Sequence, residues 1–317
     1  MAENFADRLL VAIQAKNAPA VVGIDPVYSR LPAQISQHRE LNDENDVEAA
    51  LDAVLEFSRR VIRVLAPLVP AVKLNVAFFE RYYQEGTEAY FELVQEAAAH
   101  GLIVIGDVKR GDVGHSSQMY AHAHLADPDF IMLEELVAPD AVTVNPFAGL
   151  DGVQPFIDVA RQQQKGVFVW VRPSNASASV LHDFANAEGR TFCEHLAQQV
   201  AEWGAGADLV GQAGYSCVGA VVGATPNHEA TMKLRAMMPQ AIFLVPGFGA
   251  QGGSAEDVAP CFKSDGTGAL VAATRSVIYA YENPEYAQRF EGNWEACVEQ
   301  ACKDFVASLQ QTVTVSQ

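Results

Sequence analysis

Leu102-Ile-Val-Ile-Gly-Asp107-Val-Lys109-Arg-Gly-Asp112 is the stretch whose reading decides the fold. An apolar run without polar alternation reads as a strand buried on both faces, the habit of parallel sheets sandwiched by helices. Its abrupt change to Asp and Lys puts ionisable groups at a strand end. In a barrel of parallel strands, such ends converge on one face and carry the chemistry.

The same pattern recurs on either side of this run. Before it stand Ala20-Val-Val-Gly-Ile24 and Ala71-Val-Lys-Leu-Asn75. After it come Ala141-Val-Thr-Val-Asn145, Val167-Phe-Val-Trp-Val171, Val218-Gly-Ala-Val-Val222, Ile242-Phe-Leu-Val245 and Ala269-Leu-Val-Ala272. Helical stripes separate them: Val47, Leu51, Val54, Val61 and Leu65 form one, and Tyr90, Leu93, Val94 and Ala97 another, ended by Gly101. Further helices are expected over 152–164, 190–203, 227–237, 254–262 and 288–310. Eight strands alternating with helices predict an α/β fold, a (β/α)8 TIM barrel in a single domain over 1–317 with an N-terminal and a C-terminal helix. An open doubly wound sheet is the alternative. Segments 26–45 and 172–216 exceed ordinary connections, and long loops at strand ends tend to be functional.

With 317 residues, half of them hydrophobic, the chain has ample material for a full core. Its net charge of −18 argues against nucleic acid as a partner, because a polyphosphate backbone needs a basic field. Five cysteines (193, 217, 261, 297, 302) show no metal-binding spacing and read as reduced thiols. The start, MAENFADRLLVAIQAKN, reads as an amphipathic helix rather than a signal peptide. No apolar run approaches the roughly 20 residues that span a bilayer. A cytoplasmic protein without a membrane partner is the expectation.

Alternation along a strand aims Asp107 and Lys109 the same way, about 7 Å apart, and a turn at Gly111 can return Asp112 toward them. Lys73 lies on the neighbouring strand, about 5 Å away laterally. A salt-bridged surface loop is the usual reading of a charge run, but it fits poorly here, because Lys73 sits between Val72 and Leu74 in an apolar strand. An unpaired charge there is too costly to keep without purpose.

A second cluster is Val245-Pro246-Gly-Phe-Gly-Ala-Gln251-Gly-Gly253, followed by a helix expected near Ser254 and by Arg275 after the last strand. Free backbone N–H groups, a helix N-terminus and a guanidinium make an anion site, and barrels bind phosphate at this place. The glycines alone could be a flexible turn. Asp25 either caps the turn before Pro26 or accepts from sugar hydroxyls. Ser174-Asn175 is uninformative by itself. His122 and His124, two apart in a helix, do not face one another, and no His/Asp/Glu set reads as a metal site.

The combination of Lys73, Asp107-x-Lys109-x-x-Asp112, the loop 246–253 and Arg275 resembles orotidine 5′-phosphate decarboxylases, in the form found in the longer-chain bacterial branch. The resemblance runs from Asp25 to Arg275 in the expected order. It implies decarboxylation of orotidine 5′-phosphate to UMP, the last step of de novo pyrimidine synthesis, with no cofactor and no metal. It further implies that Asp107 flanks the scissile carboxylate, Lys109 protonates C6 and Lys73 flanks the pair. Asp25 would hold the ribose, Ser174 the pyrimidine amide edge, and Pro246, Gln251 and Arg275 the phosphate end. Asp112 and Ser116 would enter the partner's site across a homodimer interface. Pro173 departs from the Thr expected there, and segments 26–70 and 172–216 are longer than in the compact branch.

Three other readings share some of these features. Keto-gulonate-phosphate decarboxylases and hexulose-phosphate synthases share the Asp-x-Lys-x-x-Asp strand end and need Mg²⁺, but are expected to carry an acid where Lys73 stands. A catalytically silent phosphate sensor and a Schiff-base aldolase are the others. Flanking carboxylates disfavour the aldolase, since they keep lysine protonated.

Overall fold

β1 (Ala20–Ile24), β2 (Ala71–Asn75), β3 (Ile103–Arg110), β4 (Ala141–Val144), β5 (Gly166–Arg172), β6 (Ser216–Val222), β7 (Ala241–Val245) and β8 (Ala269–Ala273) pair in sequence order, each parallel to the next. The computed structural model describes residues 3–36, 46–133, 135–249 and 253–315. β8 returns to β1, with Val21 opposite Ala272, so the sheet closes into a barrel and the open alternative is excluded. β1, β6, β7 and β8 are apolar almost throughout, as burial inside the barrel and under the helices requires, while β2 and β4 each carry polar residues, Lys73 and Asn75 on β2 and Thr143 on β4.

The helices expected between strands form an outer layer: α2 (Val47–Leu65), α3 (Tyr83–Ala99), α4 (Gly114–His124), α5 (Leu150–Gln163), α6 (Phe192–Trp203), α7 (His228–Met237), the one-turn α8 (Ala255–Val258) and α9 (Trp294–Val315). Leu51, Val54, Val61 and Leu65 of α2 are buried as their spacing predicts, whereas Val47, at the first turn, is exposed. Asp46 caps that turn by accepting the Ala49 N–H.

Helix α1 (Phe5–Lys16) precedes β1 and closes the barrel's N-terminal mouth. Phe5 meets Phe168 edge-on at 5.9 Å, and the Asp7 carboxylate accepts the N–H groups of Gln212 and Ala213. The opposite, C-terminal mouth stays open.

Two helices differ from expectation. The 254–262 stretch yields only the single turn of α8 and a 3₁₀ turn, Ala259–Cys261, because Pro260 supplies no N–H for a continuing helix. The 288–310 stretch is interrupted: a short helix, Pro284–Arg289, stops at Glu291 and Gly292, both left-handed, before α9 begins. Among the described residues no helix is long and apolar enough to cross a membrane.

Candidate active site

A cavity of about 300 Å³ opens at the C-terminal mouth. It is lined by strand-end residues from around the barrel: Asp25, Lys73, Asn75, Asp107, Lys109, Thr143, Trp170, Ser174, Pro246 and Arg275.

The charged centre forms where β2, β3 and β4 lie side by side. Register places Asn75 opposite Asp107 and Lys73 opposite Ile105. β3 then bulges against β4. Between the pairs Gly106↔Val142 and Arg110↔Val144, three β3 residues face the single β4 residue Thr143. Lys109 takes a left-handed conformation there, φ 48°, which is disfavoured for any residue with a Cβ. The shared direction of Asp107 and Lys109 therefore comes from this bulge rather than from simple strand alternation. Lys73 Nζ donates to Asp107 Oδ2 at 2.9 Å, Lys109 Nζ to Oδ1 at 2.6 Å, and the Thr143 hydroxyl to Oδ1 at 2.8 Å.

Burial by itself would raise the pKa of the Asp107 carboxyl and lower that of the Lys73 ammonium. For Asp107 the adjacent charges and hydrogen bonds of Lys73 and Lys109 outweigh it, holding the carboxyl well below the ordinary carboxylate range. For Lys73, the charges of Asp107 and Asp25 and the hydrogen bond to Asp107 raise the pKa above its usual value. Asp107 and Lys73 are thus both charged although buried. Asp25 completes the ring of charge from β1. Burial raises its pKa, against the opposing pull of Lys73, and its Oδ1 is buried with no hydrogen-bond partner among the described residues. Its backbone carbonyl accepts from the Tyr279 hydroxyl at 2.8 Å, which pins the end of β1.

On the far side, Gly247 (φ 105°) and Gly249 (φ 70°) turn the chain after β7, with the Gly249 N–H donating to the Gly253 carbonyl at 2.9 Å. Ser254 and Asp257 cap α8 reciprocally, and His228 Nε2 lies 3.0 Å from Asp257 Oδ1. The helix dipole expected near Ser254 is thereby reduced to one turn with its own carboxylate at the N-terminus. Arg275, exposed at the start of the short helix Arg275–Ile278, has no ion pair among the described residues. Ser174 reaches the mouth because residue 223 is glycine: a Cβ there would stand 2.7 Å from the Ser174 Cβ.

Of the residues singled out in the sequence, Asp25, Lys73, Asp107, Lys109, Ser174, Pro246 and Arg275 line one cavity. Gln251 lies outside the described residues. Asp112 is not part of the lining in the single chain; its Oδ1 accepts the Val113 N–H at 2.8 Å, and Ser116 is exposed on α4. The second carboxylate beside the lysines is Asp25. Several lining residues escaped sequence reasoning, among them Asn75, Thr143 and Trp170. Thr143 and Trp170 sit inside runs read only as strands, and Asn75 ends one. Trp170 offers its ring face to Lys109, whose Nζ lies 5.8 Å from the ring centroid. A polar residue inside an otherwise apolar strand, as at Thr143, was the available signal. Among the described residues no group of three or more His, Cys, Asp or Glu is placed to hold a metal ion.

Comparison with known proteins bears on the same site. The orotidine 5′-phosphate decarboxylase / HUMPS family model matches residues 46–290. The orotidine 5′-phosphate decarboxylase of Rhodopirellula baltica is 37% identical over 301 residues, covering 94% of this chain and 96% of that protein. The protein of the same description from Caldicellulosiruptor saccharolyticus is 36% identical over 281 residues, covering 88% and 91%. Among solved structures, Leishmania donovani OMP decarboxylase superposes with a TM-score of 0.72 at 26% identity, over 98% of this chain and 99% of that one. A match over most of the barrel, at these identities and coverages, means that the chain belongs to the orotidine 5′-phosphate decarboxylase / HUMPS family.

Proposed function

We propose that the chain decarboxylates orotidine 5′-phosphate to UMP without a metal, with Lys109 as the proton donor. One observation carries the mechanism: a buried Asp107 carboxylate clamped between the ammonium groups of Lys73 and Lys109 at the cavity floor. Breaking the C6–carboxylate bond releases CO₂ and leaves the electron pair on C6, where no neighbouring carbonyl delocalises it. Stabilisation must then be electrostatic and already in place. The Lys109 ammonium faces the developing charge, then transfers a proton from Nζ to C6. Asp107 holds both ammonium groups in place and, lying against the substrate carboxylate, favours its departure.

Asp25 accepts from the ribose hydroxyls, Ser174 reads the amide edge of the pyrimidine, and Pro246, Gln251 and Arg275 hold the phosphate. Phosphate binding far from C6 contributes to catalysis by fixing the base against Lys109 and excluding water. Asp112 and Ser116 serve the neighbouring copy in a homodimer. Their surroundings support this: Val113, Met119, Tyr120 and Phe147 are exposed apolar side chains in the same region. The protein works in the cytoplasm as a single barrel domain.

Lys73 separates this reading from the Mg²⁺-dependent members of the family, because an ammonium takes the place expected of an acid. An absorbance assay with orotidine 5′-phosphate, run with and without EDTA, tests both points. Substrate loss at equal rates in the two is expected. No turnover, or turnover abolished by EDTA, would refute it.

A further inference from the structure

β4 gives the cavity one side chain from its middle, Thr143, and the bulge in β3 explains why its chemistry matters. Three β3 residues share one β4 partner, so the Lys109 N–H has no ladder carbonyl to meet. It donates instead to Thr143 Oγ1 at 3.1 Å. The same hydroxyl has one proton, and that proton goes to Asp107 Oδ1 at 2.8 Å. A β-branched side chain in a strand has few rotamers, so both bonds are held in a fixed direction. Thr143 is only 2% exposed, so its hydroxyl is committed to these two partners.

We propose that Thr143 is a positioning residue for the decarboxylation, locking the Lys109 backbone and the Asp107 carboxylate into one frame through a single hydroxyl. The inference rests on the roles given above to Lys109 and Asp107. Without the hydroxyl, the left-handed turn at Lys109 loses the bond that satisfies its N–H, and Asp107 loses its one neutral side-chain donor among the described residues. Both lysine contacts to Asp107 survive, so substrate still binds. The ammonium, however, is no longer held where charge develops on C6, and displacements well under a bond length are felt at that point.

Thr143→Val removes the hydroxyl at nearly constant shape. Its kcat on orotidine 5′-phosphate is expected to fall about ten- to hundredfold, the kinetic equivalent of one hydrogen bond to an ionised group, with KM within about threefold. Thr143→Ser should recover most of the loss. Amide hydrogen exchange at Lys109 should be faster in Thr143→Val than in the wild type or Thr143→Ser. Wild-type kcat in Thr143→Val overturns the proposal; so does unaltered exchange, or a serine variant as impaired as the valine one, which would assign the effect to methyl packing. If valine prevents folding, Thr143→Ala against Thr143→Ser gives the same comparison. If the wild-type chain does not consume orotidine 5′-phosphate, the reading of the reaction fails, and hydrogen exchange decides by itself whether Thr143 frames Lys109.

Discussion

The two ends of the cavity are built on opposite principles. At the β2–β3–β4 end every charged group has partners within the fold, and Asp107 accepts from three donors. At the β7–β8 end Arg275 is exposed without an ion pair among the described residues, and glycines with positive φ shape the loop beside it. The first end is organised when the chain folds; the second is left for a ligand to complete. Charge stabilisation at a reacting carbon needs donors already in position. Binding energy from a remote group is more useful when realised on closure, because it can then drive the substrate toward the reacting centre.

The contrast predicts unequal losses. Lys109→Ala should reduce turnover of orotidine 5′-phosphate by at least about 10⁴-fold, since it removes proton donor and electrostatic stabiliser together. Near-wild-type decarboxylation by that variant would break the comparison at its preorganised end. Arg275→Ala should lower kcat/KM by about 100-fold on the phosphorylated substrate. On orotidine, which lacks the phosphate, Arg275→Ala and the wild type should be indistinguishable, and a difference there would mean that Arg275 acts on the chemistry directly.

Asp25, at the end of β1 beside the charged end, stands between the two cases. Its folded-state pKa is raised, so ionisation costs stability at neutral pH, and the lone Oδ1 waits for a donor. Asp25→Asn should therefore raise KM about tenfold and raise Tm on the order of 2 °C. A lower Tm would show that its attraction to Lys73 dominates.

The smallest effect is on stability against pH. Asp107 has a depressed folded-state pKa, so its contribution is complete above the ordinary value of 3.8 and disappears as pH falls through the lower folded value. Lys73 is shifted upward, so its contribution is complete below 10.5 and fades as pH rises through the higher folded value. Urea unfolding between pH 2 and 5 should show a shallower acid slope for Asp107→Asn than for the wild type. Equal slopes would place the acid sensitivity elsewhere.

Continuous apolar runs made all eight strands legible, because a strand buried on both faces must be apolar, although β3 runs on through its charged end to Arg110. Strand-end charges made Lys73, Asp107 and Lys109 legible, since buried ionisable groups require a purpose. The 254–262 helix was overestimated where Pro260 cuts it short, and the 288–310 helix where Glu291 and Gly292 interrupt it. Trp170 was invisible as a site residue, since a strand position says nothing of whether its side chain meets a cavity, and Thr143 left only the faint signal of a polar residue in an apolar strand.

What the sequence determined by itself was the alternation of eight apolar strands with helices and the types of charge at their ends, both local properties of the chain. What only the tertiary structure decided was which of those groups touch. The β3 bulge turns Lys109 onto Asp107, Thr143 fills the gap it leaves in the ladder, and β1 brings Asp25 beside Lys73 while Asp112 stays outside the single-chain cavity. Apart from the Lys109–Asp107 pair within β3, these contacts join residues 34 to 48 positions apart across strands, and their register is fixed by closure of the barrel, which no local pattern encodes.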